Sequence, residues 1–181
     1  EPEVTTDKAK DLVRMSVAKA ALLAPLEEAI LDVNQEALVI GGGVSGISSA
    51  LSLSRQGFKV HIVEKGDKLG GQALNINKTS KGLPVREKVD ELVKTVEDDE
   101  KITVHLGSSV DVAEGFVGNF RTTLKNGSGA KTIDHGVTFI ATGADESKPT
   151  EYLYGQDPRI MTSTDIDGRL ASDPDSFKDV S

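Results

Sequence analysis

An apolar run, Ala37-Leu38-Val39-Ile40, leads straight into Gly41-Gly42-Gly43-Val44-Ser45-Gly46, and this junction restricts the fold more than any other feature of the chain. A short, fully apolar strand is the mark of a buried parallel sheet. The glycines that follow read G-x-G-x-x-G, and the small-residue stretch after them, Ser45 to about Arg55, predicts a helix ending at Gly57. Each glycine has a physical reason. Gly41 permits the tight turn, Gly43 lets the backbone come close to a pyrophosphate, and Gly46 lets the helix pack near the strand. The helix then offers free N–H groups and a partial positive charge to phosphates.

A glycine pattern alone is weak, so its context matters. Lys59 to Val63 predicts a second strand, and Glu64 stands at its end, where an acid accepts hydrogen bonds from ribose hydroxyls. A helix is expected from about Leu83 to Asp98, carrying Val85, Val89, Leu92, Val93 and Val96, and a third strand from Ile102 to Leu106. The order β-α-β-α-β implies a right-handed, doubly wound sheet. The pattern then changes. Phe116-Val117, Phe120 to Leu124 and Lys131 to Ile133 are short strand candidates, separated by Gly118-Asn119 and by Asn126-Gly127-Ser128-Gly129. Those are hairpin signals, and a small antiparallel meander is expected. Val137 to Ala141 should return to the parallel sheet.

The expected architecture is therefore three-layer α/β: a Rossmann-like FAD/NAD(P)-binding domain with a parallel sheet and a small β-meander. Residues 1–35 are expected as an N-terminal helical segment, with helix from Asp7 to about Val33 and a kink at Pro25. Residues 36–145 would form the Rossmann-like domain, with the meander near 110–135. Residues 146–181 read as an extended tail, with the remainder of the domain missing. The chain opens at Glu1 without an initiator Met, which suggests a piece of a longer polypeptide.

Composition removes several functions. There are no cysteines, so thiolate nucleophiles, disulfides and cysteine-held clusters are excluded from this chain. A net charge of -8 argues against nucleic-acid binding. No apolar run is long enough for a membrane span, and no secretory signal is visible, so a cytoplasmic location is expected. His61, His105 and His135 are scattered, without a paired acid in a motif, and read as structural. The Glu97-Asp98-Asp99-Glu100 run reads as a solvated turn, and Asp165 with Asp167 lacks the remainder of a calcium loop. No metal site and no catalytic side chain are nominated.

Glu64-Lys65 followed by Leu69-Gly70-Gly71, and the later Thr138-Phe139-Ile140-Ala141-Thr142-Gly143-Ala144, resemble the two-dinucleotide-binding flavoproteins. There the second glycine pair runs close to the cofactor phosphates, and the segment ending in Thr-Gly lies beside the ADP moiety. Further segments resemble the A subunit of heterodisulfide reductases: Val13 to Leu23, Ala37 to Gly43, Phe116 to Phe120 and Glu151 to Gly155. The resemblance implies FAD, with cofactor contacts at Gly41, Gly43, Gly46, Glu64, Lys65, Gly70, Gly71, Thr142 and Gly143. It implies electron transfer through flavin among the other subunits of an iron–sulfur redox complex of anaerobes. Family members hold clusters through cysteines, some just past the glycine pair, whereas Leu74 to Thr79 contains none. Iron–sulfur clusters are therefore expected only in the parent protein, and the isolated piece is expected to bind FAD weakly or not at all and to be inactive alone. The alternatives are an NAD-binding oxidoreductase domain and a non-catalytic interaction module of such a complex.

Overall fold

The computed structural model describes residues 2–25, 30–127 and 129–178. It divides into two compact units, residues 1–31 and 32–181. The first unit contains α1 (Pro2–Ala21), on which Leu12, Val13 and Val17 are exposed. The helix stops short of the expected Val33, and residues 30–35 are not helical. Pro25 has no N–H to donate and disfavours the helical conformation at the residue before it, so the apolar spacing beyond it does not extend the helix. Leu26 of that expectation and Ser128 of the hairpin lie outside the described residues.

The second unit contains β1 (Glu36–Ile40), α2 (Val44–Arg55), β2 (Lys59–Val63), α3 (Val85–Glu97) and β3 (Ile102–His105). There follow β4 (Ser109–Phe116), β5 (Asn119–Asn126), β6 (Gly129–His135), β7 (Val137–Ile140) and α4 (Ser163–Ser172). The parallel sheet has the order β3-β2-β1-β7, and β4-β5-β6 form an antiparallel sheet. The expected meander is present, with longer strands than the sequence signals mark.

After Glu36, β1 is apolar because both of its faces are covered. Ala37 and Val39 point to the helices, packing with Ile47, Ala50, Leu51, Val60, Ile62 and Val96. Leu38, between them, points to the meander and packs with Val63, Leu124 and Ile133. Helices, parallel sheet and meander are thus three layers with an apolar core on each side of the sheet. Asp99 does more than solvate a turn. It accepts the hydroxyl of buried Ser54 at 2.5 Å and so ties α2 to the turn before β3.

The tail is not wholly extended. Thr162 caps α4, accepting the Asp165 N–H, while the Asp165 carboxylate accepts the Thr162 N–H. This reciprocal box satisfies two donors that the first turn of a helix otherwise leaves unpaired.

Candidate functional site

Three segments meet at the carboxyl end of the parallel sheet. The ladder continues one residue past β1, where the Gly41 N–H donates to the Val63 carbonyl at 2.8 Å. Beside it the Ala141 N–H donates to the Ile40 carbonyl at 2.8 Å. The Gly70 N–H donates to the Gly42 carbonyl at 2.8 Å, and Gly43 bridges Gly70. The glycine turn, the Gly70-Gly71 segment and the Thr142-Gly143 segment therefore share one rim. It lies where the sheet extends from β1 to β2 on one side and to β7 on the other, at the strands' carboxyl ends, the region where open α/β sheets bind ligands.

The glycines differ in what requires them. Gly41 adopts φ +110°, and a side chain there would strike the Ala141 carbonyl. A Cβ on Gly46 would collide with the Gly41 carbonyl oxygen, so close helix–strand packing demands glycine. Gly42, which the motif leaves free, is constrained too: a Cβ there would strike Leu69 and lie 3.0 Å from Glu64 Oε2. Gly43 is the exception. Its φ is −75°, open to any residue, and a Cβ there would meet only the Gly71 Cα, at 4.0 Å. The protein's own packing gives no reason for glycine at 43.

Gly43 is also the N-cap of α2 and supplies no side-chain cap. The first-turn N–H groups, which have no acceptor within a helix, are left available at this rim. A Cβ on Gly71 would lie 2.9 Å from the Gly43 Cα, so this glycine keeps the second segment close to the first. Gly143 has φ +66° and open space around it.

Glu64 is positioned by backbone rather than by a cation. Oε2 accepts the Gly42 N–H and Oε1 the Gly66 N–H, each at 2.7 Å. A carboxylate has about four lone-pair sites, so acceptor capacity remains for hydroxyls. Sequence reasoning named Glu64 but missed Gly42 and Gly66, although a third glycine in the turn and one two residues past the acid were visible signals. Lys65 is exposed, with its ammonium 4.0 Å from Asp145. Thr142 is exposed at the rim. Gln72 Nε2 donates to the Ala144 carbonyl at 3.3 Å, joining the Gly70-Gly71 segment to the one after Gly143.

The histidines are less scattered than their spacing suggests. His61 Nδ1 lies 3.2 Å from His105 Nε2, and His61 Nε2 lies 3.2 Å from Glu36 Oε2. They sit on the meander face of the parallel sheet, and the His105 carbonyl accepts the Glu64 N–H. Among the described residues no group of three or more His, Cys, Asp or Glu is arranged to hold a metal. No described helix is long and apolar enough to cross a membrane.

Comparison with known proteins agrees with this geometry. Residues 39–102 match the NAD(P)-binding Rossmann-like domain family. The chain is 42% identical over 127 residues to the A subunit of the H(2):CoB-CoM heterodisulfide,ferredoxin reductase of Methanothermobacter thermautotrophicus, covering 69% of this chain and 19% of that protein. It is 43% identical over 129 residues to an iron-sulfur A subunit of the CoB--CoM heterodisulfide reductase of Methanopyrus kandleri, again covering 69% and 19%. The chain thus spans about a fifth of the length of these relatives. Among solved structures, L-proline dehydrogenase from P. horikoshii superposes with a TM-score of 0.56 at 28% identity, over 70% of this chain and 26% of that one.

Proposed function

Because the chain is a relative of the heterodisulfide reductase A subunits and folds as a dinucleotide-binding Rossmann-like unit, we propose that its glycine rim holds the ADP half of FAD. The carrying observation is Gly43. Gly41 and Gly46 are explained by the fold itself, whereas glycine at 43 is explained by room for a pyrophosphate against the first turn of α2. Gly70 and Gly71 line the same approach. Glu64, held by two backbone N–H groups, accepts ribose hydroxyls with its remaining lone pairs. Lys65, Thr142 and Gly143 complete the rim. The flavin supplies the electron transfer, and these residues supply position and electrostatics.

In this reading the parent protein is a flavin-dependent oxidoreductase that works in the cytoplasm with the other subunits of a redox complex. The names of the relatives, each one subunit of a reductase, support the partners. With no cysteine in this chain, iron–sulfur clusters belong to other parts of the parent. The NAD(P)-binding family match favours a second reading, in which the rim holds NAD.

Calorimetric titration of the chain with FAD and with NAD separates the two. FAD binding that is weak or absent in this chain and strong in a longer form of the protein, and lost from the longer form in Gly43→Val with the fold retained, is the expected result. Binding of NAD alone would replace FAD by NAD. Binding of neither, by this chain and by a longer form of the protein, would overturn the reading.

A further inference from the structure

A cavity of about 290 Å³ opens between β6 and the starts of β1 and β2, lined by Asn34, Glu36, His61, Lys131, Thr132 and Asp134. His61 stands at its wall between two partners, Glu36 on β1 and His105 on β3. The ring centroids of the two histidines are 5.4 Å apart, and the planes are inclined by 31°. An ionised carboxylate only accepts, so the proton of neutral His61 must sit on Nε2, facing Glu36. His61 Nδ1 is then an acceptor, and His105 Nε2 must donate to it. The single carboxylate fixes both tautomers.

One added proton fits this array. His61 becomes an imidazolium donating to both neighbours, and His105 moves its own proton to Nδ1. A second added proton does not fit, because two N–H groups would then face each other across 3.2 Å. The surrounding charges act the same way. Lys59 lies 3.6 Å from Glu36, and Lys131 on β6 adds positive charge near His105. Asp134 on β6 is already held by Arg121 of β5, and His135 of β6 is buried. Burial, Lys131 and His61 push His105 down to about 4, the direction a disfavoured second proton requires.

We propose that Glu36, His61 and His105 form a one-proton relay across β1, β2 and β3 beneath the meander. It is built against the glycine rim, since the His105 carbonyl accepts the Glu64 N–H at 2.9 Å. The relay stands on its own geometry and does not depend on which nucleotide the rim holds.

Nitrogen NMR of the ¹⁵N-labelled chain tests it. At neutral pH both histidines should be Nε2–H tautomers, and a ¹⁵N–¹⁵N coupling should connect His105 Nε2 with His61 Nδ1 through the hydrogen bond. On acidification His105 should report two steps, and the Glu64 amide should follow the lower one. In His61→Gln, His105 should titrate in a single step at higher pH. Absence of the coupling, or a one-step titration of His105 in the unsubstituted protein, would overturn the relay whether or not the variant folds.

Discussion

The carboxylate of Glu64 accepts the backbone N–H of Gly42 at 2.7 Å, so the acid ending β2 and the glycine turn leaving β1 are one hydrogen-bonded unit. The same side chain also accepts from Gly66. Truncation in Glu64→Ala strands two backbone donors. Hydrogen bonds to charged groups contribute about 1.5–3 kcal/mol each, and partial exposure places the expected loss near the lower end, about 3 kcal/mol in total. Urea denaturation should show that loss, and Glu64→Gln, which keeps one acceptor oxygen, should recover part of it. An alanine variant as stable as the parent would refute the structural role of this carboxylate.

Substitutions at the glycines should separate folding from binding. Gly46→Ala places a methyl group against the Gly41 carbonyl, which backbone cannot easily yield, and overpacking of this kind costs about 1–3 kcal/mol. Gly43→Ala meets nothing closer than 4.0 Å and should leave the denaturation midpoint nearly unchanged. Nucleotide affinity, measured on the same samples, should fall at Gly43. If Gly43→Ala unfolds the chain, the clearance there belongs to the fold and not to a ligand.

The parts of this fold written in local sequence were legible. β1, the glycine turn and α2 follow from a short apolar run and glycine spacing within twenty residues, and the meander from its turn residues. What was not legible depends on partners distant in sequence. Gly42 and Gly66 serve Glu64 only once β1 and β2 lie side by side. His61 and His105 meet because the register sets Val63 opposite His105, which no local pattern records. α4 was missed for a different reason. Pro158 and Asp173-Pro174 dominate the composition of the tail, whereas Thr162 and Asp165, spaced as a capping box, were the signal that counted. The first helix was overextended because apolar spacing continues by chance past Pro25.

His135 is expected to be a neutral structural residue. Its Nδ1 lies 3.1 Å from the Val137 carbonyl, which only accepts, so Nδ1 carries the proton. Nε2 is then the acceptor for the Thr122 hydroxyl, 2.8 Å away, and both residues are buried. Thr122→Val keeps the shape but removes the donor, leaving a buried nitrogen unpaired. A loss of about 1–3 kcal/mol is expected in urea denaturation. A valine variant with unchanged stability would mean that water replaces the hydroxyl.

Acid should destabilise the chain in two stages, and the histidines set the first. Burial lowers His135, and burial with Lys131 lowers His105 to about 4 from its ordinary 6.5. The unfolded chain therefore binds more protons than the folded one between those values, and stability rises with pH across that window. The contribution is whole above about pH 6.5 and drains as pH falls toward 4. His105 is only partly buried, so solvent screening reduces its share to about 1–2 kcal/mol. Asp99, lowered mainly by its hydrogen bond from Ser54, belongs to the second stage, as its stabilisation persists above the ordinary carboxylate range and is lost below it. Urea midpoints at pH 7.5, 5.5 and 4.5 should fall steadily in the parent protein. In His105→Gln the fall should be shallower, because the group lowered to about 4 is gone. An equal fall in both proteins would assign the acid sensitivity to His135 and the carboxylates instead.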